Sequence, residues 1–120
     1  MSRDWRLFLD DMLEAADSVL SEVDGLPRDR FNEDSRVRKI ILHDFLVMGE
    51  AAKHIPDETR ARYPRVPWRK IAGLRDVIAH SYFSLDVDVI WNIATSILPE
   101  VRPLLEQIIR ELSEEPTDAG

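Results

Sequence analysis

The stretch Pro67–Trp91, "PWRKIAGLRDVIAHSYFSLDVDVIW", decides the fold of this chain. Its first half carries apolar side chains at helical spacing, and Pro67 suits the first turn of a helix. A second helical pattern opens near Ser84 or Asp86 and continues far beyond the quoted stretch. The sequence therefore predicts two helices joined by a short turn, and strand-like alternation is absent.

The segment before this stretch predicts a long N-terminal helix over Asp4–Asp24, with acidic residues between its apolar positions. Gly25 follows as a helix terminator, and we expect Pro27 to prevent the helix from resuming. The apolar positions of this helix are Trp5, Phe8, Met12, Ala16, Val19 and Val23.

A second long helix is predicted to begin at Asp34 or Ser35, either of which can cap it, and to end at Pro56. A short, weak helical turn is expected over Asp57–Arg62. Pro64 and Pro67 then bracket a loop that leads into the quoted stretch.

The last helix contains two prolines, and each removes an amide donor and crowds the carbonyl four residues back. We therefore expect a kink near Ser96–Pro99. The helix also carries more apolar surface than one neighbour can bury, which favours a two-fold homodimer, although a well-packed monomer could bury the same residues. The fold class is an all-α, up-and-down bundle of four to five helices, with residues 1–112 as one domain and 113–120 as a disordered tail.

Composition excludes several classes of protein. The 120 residues include no cysteine, so there is neither a disulfide framework nor a thiolate site. No apolar run approaches the ~20 residues that span a bilayer, and the N-terminus lacks a signal-peptide core. We expect a soluble, cytoplasmic protein without membrane association.

The net charge of −7 argues against broad, non-specific nucleic-acid binding. The charge is nevertheless uneven, because Thr59–Arg75 contains six basic residues and no acidic one. This strip could gather phosphates, and Arg65, Arg69 and Lys70 are its candidate RNA-binding residues. A solvated face without a ligand would carry the same pattern.

The segment "RDVIAHSY" raises the question of a reactive centre. At ~100° per residue, Arg75 and His80 diverge by roughly 140° around a continuous helix. A shared site then requires either that the helix ends near His80 or that two copies of the segment meet in a dimer. Asp76, one turn before His80, could fix the imidazole tautomer, Arg75 could bind a phosphate, and Tyr82 offers a hydroxyl. Alternatively, these are ordinary charged residues at the end of a helix.

The same segment matches Arg-x4-His-x-Tyr, the signature of the HepT-like toxins within the HEPN superfamily of helical nucleases. "VMGEAAKHIP" (Val47–Pro56) resembles the second-helix segment of that family, and Pro67–Trp91 resembles its central segment. The resemblance extends over roughly Asp4 to Leu112, and the motif itself shows no departure.

The resemblance implies a dimer in which two motifs meet at a composite cleft. It implies a metal-independent ribonuclease toxin paired with a nucleotidyltransferase antitoxin. Arg75 and His80 would be catalytic, Asp76 would support them, and Tyr82 would be the residue that such an antitoxin adenylylates. We expect no cofactor and no metal site, because the three histidines are scattered without a carboxylate set. Attack by the RNA 2′-hydroxyl would then give a 2′,3′-cyclic phosphate.

Two other functions fit the same residues. The chain could be a catalytically weak helical partner that binds and regulates a nucleotidyltransferase, which the acidic pI of about 4.9 slightly favours. It could also be a plain dimerisation domain. Glu50 is expected at most to position the catalytic residues, without contacting the substrate. Tyr63 is a candidate for base stacking if it is exposed.

Overall fold

The computed structural model describes residues 3–115, and within them the regular structure is helical without a strand. The predicted all-α class is confirmed. The elements in chain order are α1 (Arg6–Val23), α2 (Arg28–Glu33), α3 (Ser35–Lys53), α4 (Asp57–Arg62), α5 (Trp68–Ser81), a 3-10 turn (Tyr82–Ser84), α6 (Val87–Asn92), a π-helical turn (Ile93–Ile97) and α7 (Leu98–Glu114). In the described part of the chain, each helix is too short or too polar to cross a bilayer.

The first connection is shorter than predicted because a helix resumes directly after Pro27. Gly25 ends α1 with φ of +70°, the left-handed conformation that glycine adopts without strain. The expectation that Pro27 prevents a new helix is wrong. Its carbonyl accepts the amides of Arg30 and Phe31, so it starts α2 at a place where the missing proline N–H costs nothing.

Local capping signals place the next helices where the sequence predicts them. Asp34 Oδ1 accepts hydrogen bonds from the amides of Arg36 (3.1 Å) and Val37 (3.2 Å), and this cap begins α3. The predicted short turn appears as α4, and α5 follows Pro67 directly. Asp86 caps α6 through the amide of Asp88, at 2.9 Å.

The predicted irregularity before Pro99 takes the form of a π-helical turn. The amide of Leu98 donates to the carbonyl of Ile93, five residues back instead of four. This wider turn accommodates a proline that has no N–H and would crowd a regular preceding turn. The helical path continues through Pro103 to Glu114. It thus extends two residues into the predicted tail, and residues 116–120 of that tail lie outside the described residues.

The core forms around the pair α1 and α3. Helix α5 packs on the far side of α3, and α7 packs on α1. The largest fully buried side chains belong to several elements and include Leu9, Met12, Phe31, Ile41, Phe45, Ile78, Leu105 and Ile108.

Helix α5 and the α6–α7 segment leave an open hollow of about 430 Å³ between them, which we call the apolar groove. Phe45 and Met48 of α3 form its floor, and its rim includes Val77 and Val89, which are 54% and 51% exposed. One side of α5 is therefore covered by its own chain, and the other side is open.

Candidate functional site on helix α5

Gly49 fixes the position of Arg75. A Cβ atom at residue 49 would lie 2.3 Å from the Cβ of Arg75 and 2.9 Å from the carbonyl oxygen of Ile71. Only glycine therefore allows α3 and α5 to approach as closely as they do at this point. The close approach sets the backbone from which the Arg75 side chain extends.

Ion pairs continue this contact along the surface. The Nε atom of Arg75 lies 3.4 Å from Glu50 Oε2, and its Nη1 lies 3.2 Å from Asp76 Oδ1. The Nζ atom of Lys53 donates to the same Asp76 oxygen at 2.7 Å. We call Gly49, Glu50, Lys53, Arg75 and Asp76 the α3–α5 contact. Its alternating charges hold the half-buried Arg75 side chain between two carboxylates.

Asp76 is stabilised as a carboxylate. The hydrogen bond from Lys53 is the largest influence and lowers the pKa of Asp76 below its ordinary value. Burial opposes this shift as the second-largest influence, and the hydrogen bond from Arg75 lowers the pKa further. Asp76 therefore keeps its negative charge next to Arg75 at neutral pH.

The predicted pairing of Asp76 with His80 is wrong. The Asp76 carboxylate is engaged by Lys53 and Arg75, and within residues 3–115 neither a hydrogen bond nor an ion pair joins it to His80. His80 is exposed, one residue before the end of α5. Lys53 and Arg75 each bring a full positive charge to the Asp76 carboxylate, and charge-assisted hydrogen bonds of this kind are the strong ones.

Arg75 and His80 face different directions in one chain. Helix α5 ends at Ser81, as one of the two sequence alternatives expected, but both residues still lie within it. Five residues of helix separate their directions by roughly 140°. Arg75 therefore faces α3, whereas His80 faces solvent.

Tyr82 begins the 3-10 turn that follows α5 and is 41% exposed. Its ring meets that of Phe83 edge to face, with centroids 5.4 Å apart. Tyr82 also lines a hollow on the side of α5 that faces the start of α3. Tyr82 follows His80 by two residues and therefore lies at the C-terminal end of α5, as His80 does.

The basic strip does not form one continuous surface. Arg69 and Lys70 are exposed in the first turn of α5 and line a shallow hollow, whereas Arg65 lies in a separate depression against α7. Arg60 pairs with Asp57 and Arg62 pairs with Glu115, which neutralises part of the charge.

Arg69 and His80, eleven residues apart, share one exposed face of α5 to within about 20°. Of the three RNA-binding candidates, Arg69 is therefore aligned with His80, while Arg65 is not on this helix.

Tyr63 is not the exposed residue that the stacking interpretation needs. It is partly buried, and its hydroxyl donates to Glu111 Oε2 at 2.7 Å. Its carbonyl also accepts the indole N–H of Trp68 at 3.0 Å. These contacts tie the loop before α5 to α7, which is a structural role.

Sequence reasoning missed Lys53, because its partner Asp76 is 23 residues away. The available signal was the pair Glu50 and Lys53, three residues apart on one face of α3 and opposite in charge to the neighbours Arg75 and Asp76. Among residues 3–115, no group of three histidine or carboxylate side chains is arranged to hold a metal ion.

Comparison with known proteins identifies relatives of nearly full length. The family described as Ribonuclease HepT-like matches residues 12–108. A protein of Methanocaldococcus jannaschii named "Putative RNase" is 33% identical over 94% of this chain and 93% of its own length. A second protein with that name from the same organism is 32% identical over 93% of this chain and 97% of its own length.

The "Probable ribonuclease HepT" of Thermococcus cleftensis is 28% identical over 90% of this chain and 98% of its own length. No solved structure matches the chain.

Proposed function

The chain belongs to the HepT-like ribonuclease family, and from that premise we propose that it is a metal-independent endoribonuclease whose active site forms between two copies of α5. One observation carries this proposal. Arg75 and His80 lie on different faces of one helix, and the helix is covered on one side and open along the apolar groove on the other. A second copy is needed to bring both kinds of side chain to one phosphate.

The groove supplies the surface for that second copy. Val77 lies between Arg75 and His80 in sequence and is 54% exposed, and Val89 and Ile97 continue the apolar rim. A two-fold axis near Val77 would bury these side chains and place the two α5 helices side by side. Each His80 lies roughly 60° from Val77 around α5 and would then be close to its counterpart, whereas the long Arg75 side chain would reach the shared phosphate from the side of α5 that faces α3.

The reaction requires two proton transfers. The 2′-oxygen of a ribose attacks the adjacent phosphorus, the bond from phosphorus to the 5′-oxygen breaks, and a 2′,3′-cyclic phosphate and a 5′-hydroxyl result. One His80 accepts the 2′-proton, and the His80 of the other copy donates a proton to the departing 5′-oxygen. DNA lacks this nucleophile and is not cleaved.

Arg75 stabilises the charge that develops on the phosphate oxygens, a contribution worth ~3–4 kcal/mol in comparable sites. Its guanidinium forms only half-exposed ion pairs with Glu50 and Asp76, which a phosphate can replace. Arg69, on the same face as His80, would hold the RNA strand farther along α5.

We further propose that the protein is the toxin of a toxin–antitoxin pair and that a nucleotidyltransferase antitoxin adenylylates Tyr82. The partial exposure of Tyr82 and its place just beyond His80 support this role. An attached AMP would add bulk and negative charge next to the phosphate site and repel RNA. A Tyr82→Phe protein should therefore escape the antitoxin, and full neutralisation of that variant would contradict the modification.

RNA cleavage by the purified protein in excess chelator tests the proposal. Intact mass must first show that Tyr82 is unmodified. Cleavage should persist, leave cyclic phosphates, and fall about 10²–10⁴-fold in His80→Ala. The matched control is His43→Ala, because His43 is an exposed histidine on α3 whose nearest charged neighbour is Asp44.

Two results would refute parts of this proposal. Cleavage of RNA whose 2′-oxygens are all blocked would refute the mechanism. An absence of cleavage by unmodified protein, across several kinds of RNA, would refute the nuclease and favour a regulatory partner of a nucleotidyltransferase.

A further inference from the structure

A small pocket opens beside Tyr82, just beyond the C-terminal end of α5. It has a volume of about 280 Å³ and lies between the start of α3, the 3-10 turn and α6. Phe31 and Leu42 contribute apolar wall, and we call this hollow the Tyr82 pocket. Its volume is at the small end of ligand pockets, ~300–1,000 Å³, which suits one planar ring and its attached groups.

The charge of the pocket is opposite to that of the whole chain. Arg38 and Lys39 line it, and among residues 3–115 no carboxylate does, although the chain has 23 acidic and 16 basic residues. Arg38 is fixed in place, because its Nη1 donates to the carbonyls of Phe31 (2.9 Å) and Asn32 (2.5 Å). The lining thus combines apolar wall with two cations, which suits an anion that carries an apolar ring.

Phe83 provides the third element. It lines the pocket and is 100% exposed, the largest exposure of any large apolar side chain among the described residues. Its edge-to-face contact with Tyr82, at an interplanar angle of 81°, leaves at least one face of the Phe83 ring available. A fully exposed aromatic ring beside cations is the arrangement that single-stranded nucleic-acid sites use for base stacking.

We propose that the Tyr82 pocket binds one nucleotide of the RNA strand, next to the cleaved phosphate, with its base on Phe83 and its phosphate on Lys39 and Arg38. The choice of RNA as the ligand rests on the proposed function. The position follows from the chain: Tyr82 is two residues beyond His80, or ~3–4 Å along the helix axis. Both residues lie at the same end of α5, and the helix is only ~10–12 Å across with its side chains, so an RNA strand that reaches His80 can reach the pocket around the end of the helix.

The same pocket could receive the adenine of an AMP attached to Tyr82. Both ligands are nucleotides, so the chemistry is shared and the experiment must separate the two sources. If RNA uses the pocket, a tethered AMP inhibits by occupying a substrate subsite as well as by repulsion.

The first test is a titration of unmodified protein with free 5′-AMP, followed by NMR. The methyl resonances of Leu85 and Val87 should shift, and the shifts should weaken in Lys39→Gln and in Phe83→Ala. The matched control is Arg36→Gln, an exposed cation one turn earlier on α3 that does not line the pocket. Unshifted pocket resonances would overturn the proposal without any reference to cleavage.

The second test is kinetic. Phe83→Ala should raise KM for RNA about 5- to 100-fold, the size of one lost base stack, while kcat changes less than about twofold. Arg36→Gln should change neither constant. An unchanged KM in both Phe83→Ala and Lys39→Gln would overturn the proposal, even if AMP binds, because the pocket would then serve the tethered nucleotide alone.

Two further outcomes separate the proposals. AMP binding that is lost in Lys39→Gln, by a protein that cleaves no RNA, would leave a nucleotide pocket and refute the nuclease. Unchanged RNA binding by Phe83→Ala together with weakened binding of a nucleotidyltransferase would make Phe83 a protein contact and overturn the nucleotide assignment.

Discussion

The two flanks of helix α5 differ in what completes them. On one flank, the α3–α5 contact is closed by the chain itself, through Gly49 and the ion pairs of Arg75 and Asp76. On the other flank, the apolar groove is open and exposes Val77 and Val89. The closed flank fixes Arg75 within the chain, and under the proposed function the open flank would receive a second copy.

This difference shows how a small helical protein can position one part of a site by folding and leave the other part to association with a second copy. Arg75 is positioned by folding, whereas under the proposed function His80 would gain its surroundings only by association with a second copy. The two flanks should therefore respond to mutation in different ways. Substitutions on the closed flank should change the stability of the folded chain, whereas substitutions on the open flank should change how activity depends on protein concentration.

The largest effect is expected from Val89→Asp, which places a charge in the groove of each copy. The dissociation constant of the dimer should rise about 10²-fold or more, because a two-fold axis introduces the charge twice. Sedimentation and cleavage rates, measured across a range of concentrations, check this result.

The control for Val89→Asp is Leu7→Asp, an exposed aliphatic residue on α1 that does not line the groove. Helical circular dichroism should be unchanged in both variants. A monomeric Val89→Asp protein that cleaves RNA at the normal rate would contradict the claim that the open flank needs a second copy.

The second effect is expected from Gly49→Ala, because the new Cβ would lie 2.3 Å from that of Arg75 and would force the helices apart. We expect a cost of about 1–3 kcal/mol in unfolding free energy from overpacking. Cleavage should fall up to about 10²-fold, since a shift near 1 Å suffices for such a loss.

Gly73→Ala is the matched substitution on the open flank, where a Cβ meets nothing within 4 Å in the chain. It should raise the unfolding free energy by about 0.5–1 kcal/mol, through helix propensity alone. Denaturant unfolding at a concentration that favours monomer measures both variants, and equal effects of the two substitutions would contradict the account.

A smaller effect is expected from Glu50→Gln. The pair between Glu50 and Arg75 is about half exposed, and such pairs contribute at most ~1 kcal/mol, so kcat should change by no more than about fivefold. Glu14→Gln, an exposed residue of α1, is the control. A loss of several hundredfold would show that Glu50 takes part in the reaction itself.

The smallest effect is expected from Lys53→Met, which removes the main cause of the lowered Asp76 pKa. A carboxylate with a lowered folded pKa adds stability above its unfolded pKa, and this stability is lost as the pH falls through the folded pKa. In the variant, Asp76 should take up its proton nearer the ordinary value of about 4.

An NMR titration of the Asp76 carboxyl carbon measures this change. Arg36→Met, which removes another exposed cation of α3, should leave the Asp76 titration as it is in the unaltered protein. A titration of Asp76 that does not move in Lys53→Met would show that Arg75 alone determines its charge.

Signals confined to a few residues were sufficient to predict much of the fold. The sequence predicts a cap at Asp34 or Ser35 and a helix start near Ser84 or Asp86, and in each pair the aspartate is the cap. Such starts are predictable because an N-cap needs only its own side chain and the amides that directly follow. Pro27 was misread because a proline ends one helix and starts another by the same loss of an N–H. The local sequence does not predict that the irregularity before Pro99 is a π-helical turn, because such a turn depends on how its flanking helices pack.

The sequence predicts which residues belong to the candidate site, and it does not predict their contacts. The spacing of Arg75 and His80 predicts that they face different directions on one helix. The expected pair of Asp76 with His80 failed because Lys53, far away in sequence, lies closer in the fold. Long-range partners of this kind are set by how α3 lies on α5, which the spacing within α5 does not contain.

The most direct test of the two-copy site is a mixing experiment. Unaltered protein is equilibrated with about a tenfold excess of His80→Ala protein before RNA is added, so that nearly every unaltered chain is paired with a His80→Ala chain. If each site needs His80 from both copies, the activity per unaltered chain should fall to about a tenth, and the same excess of Val89→Asp protein should not lower it. Activity that stays constant in the presence of the His80→Ala excess would contradict the account, because one His80 would then be sufficient for cleavage.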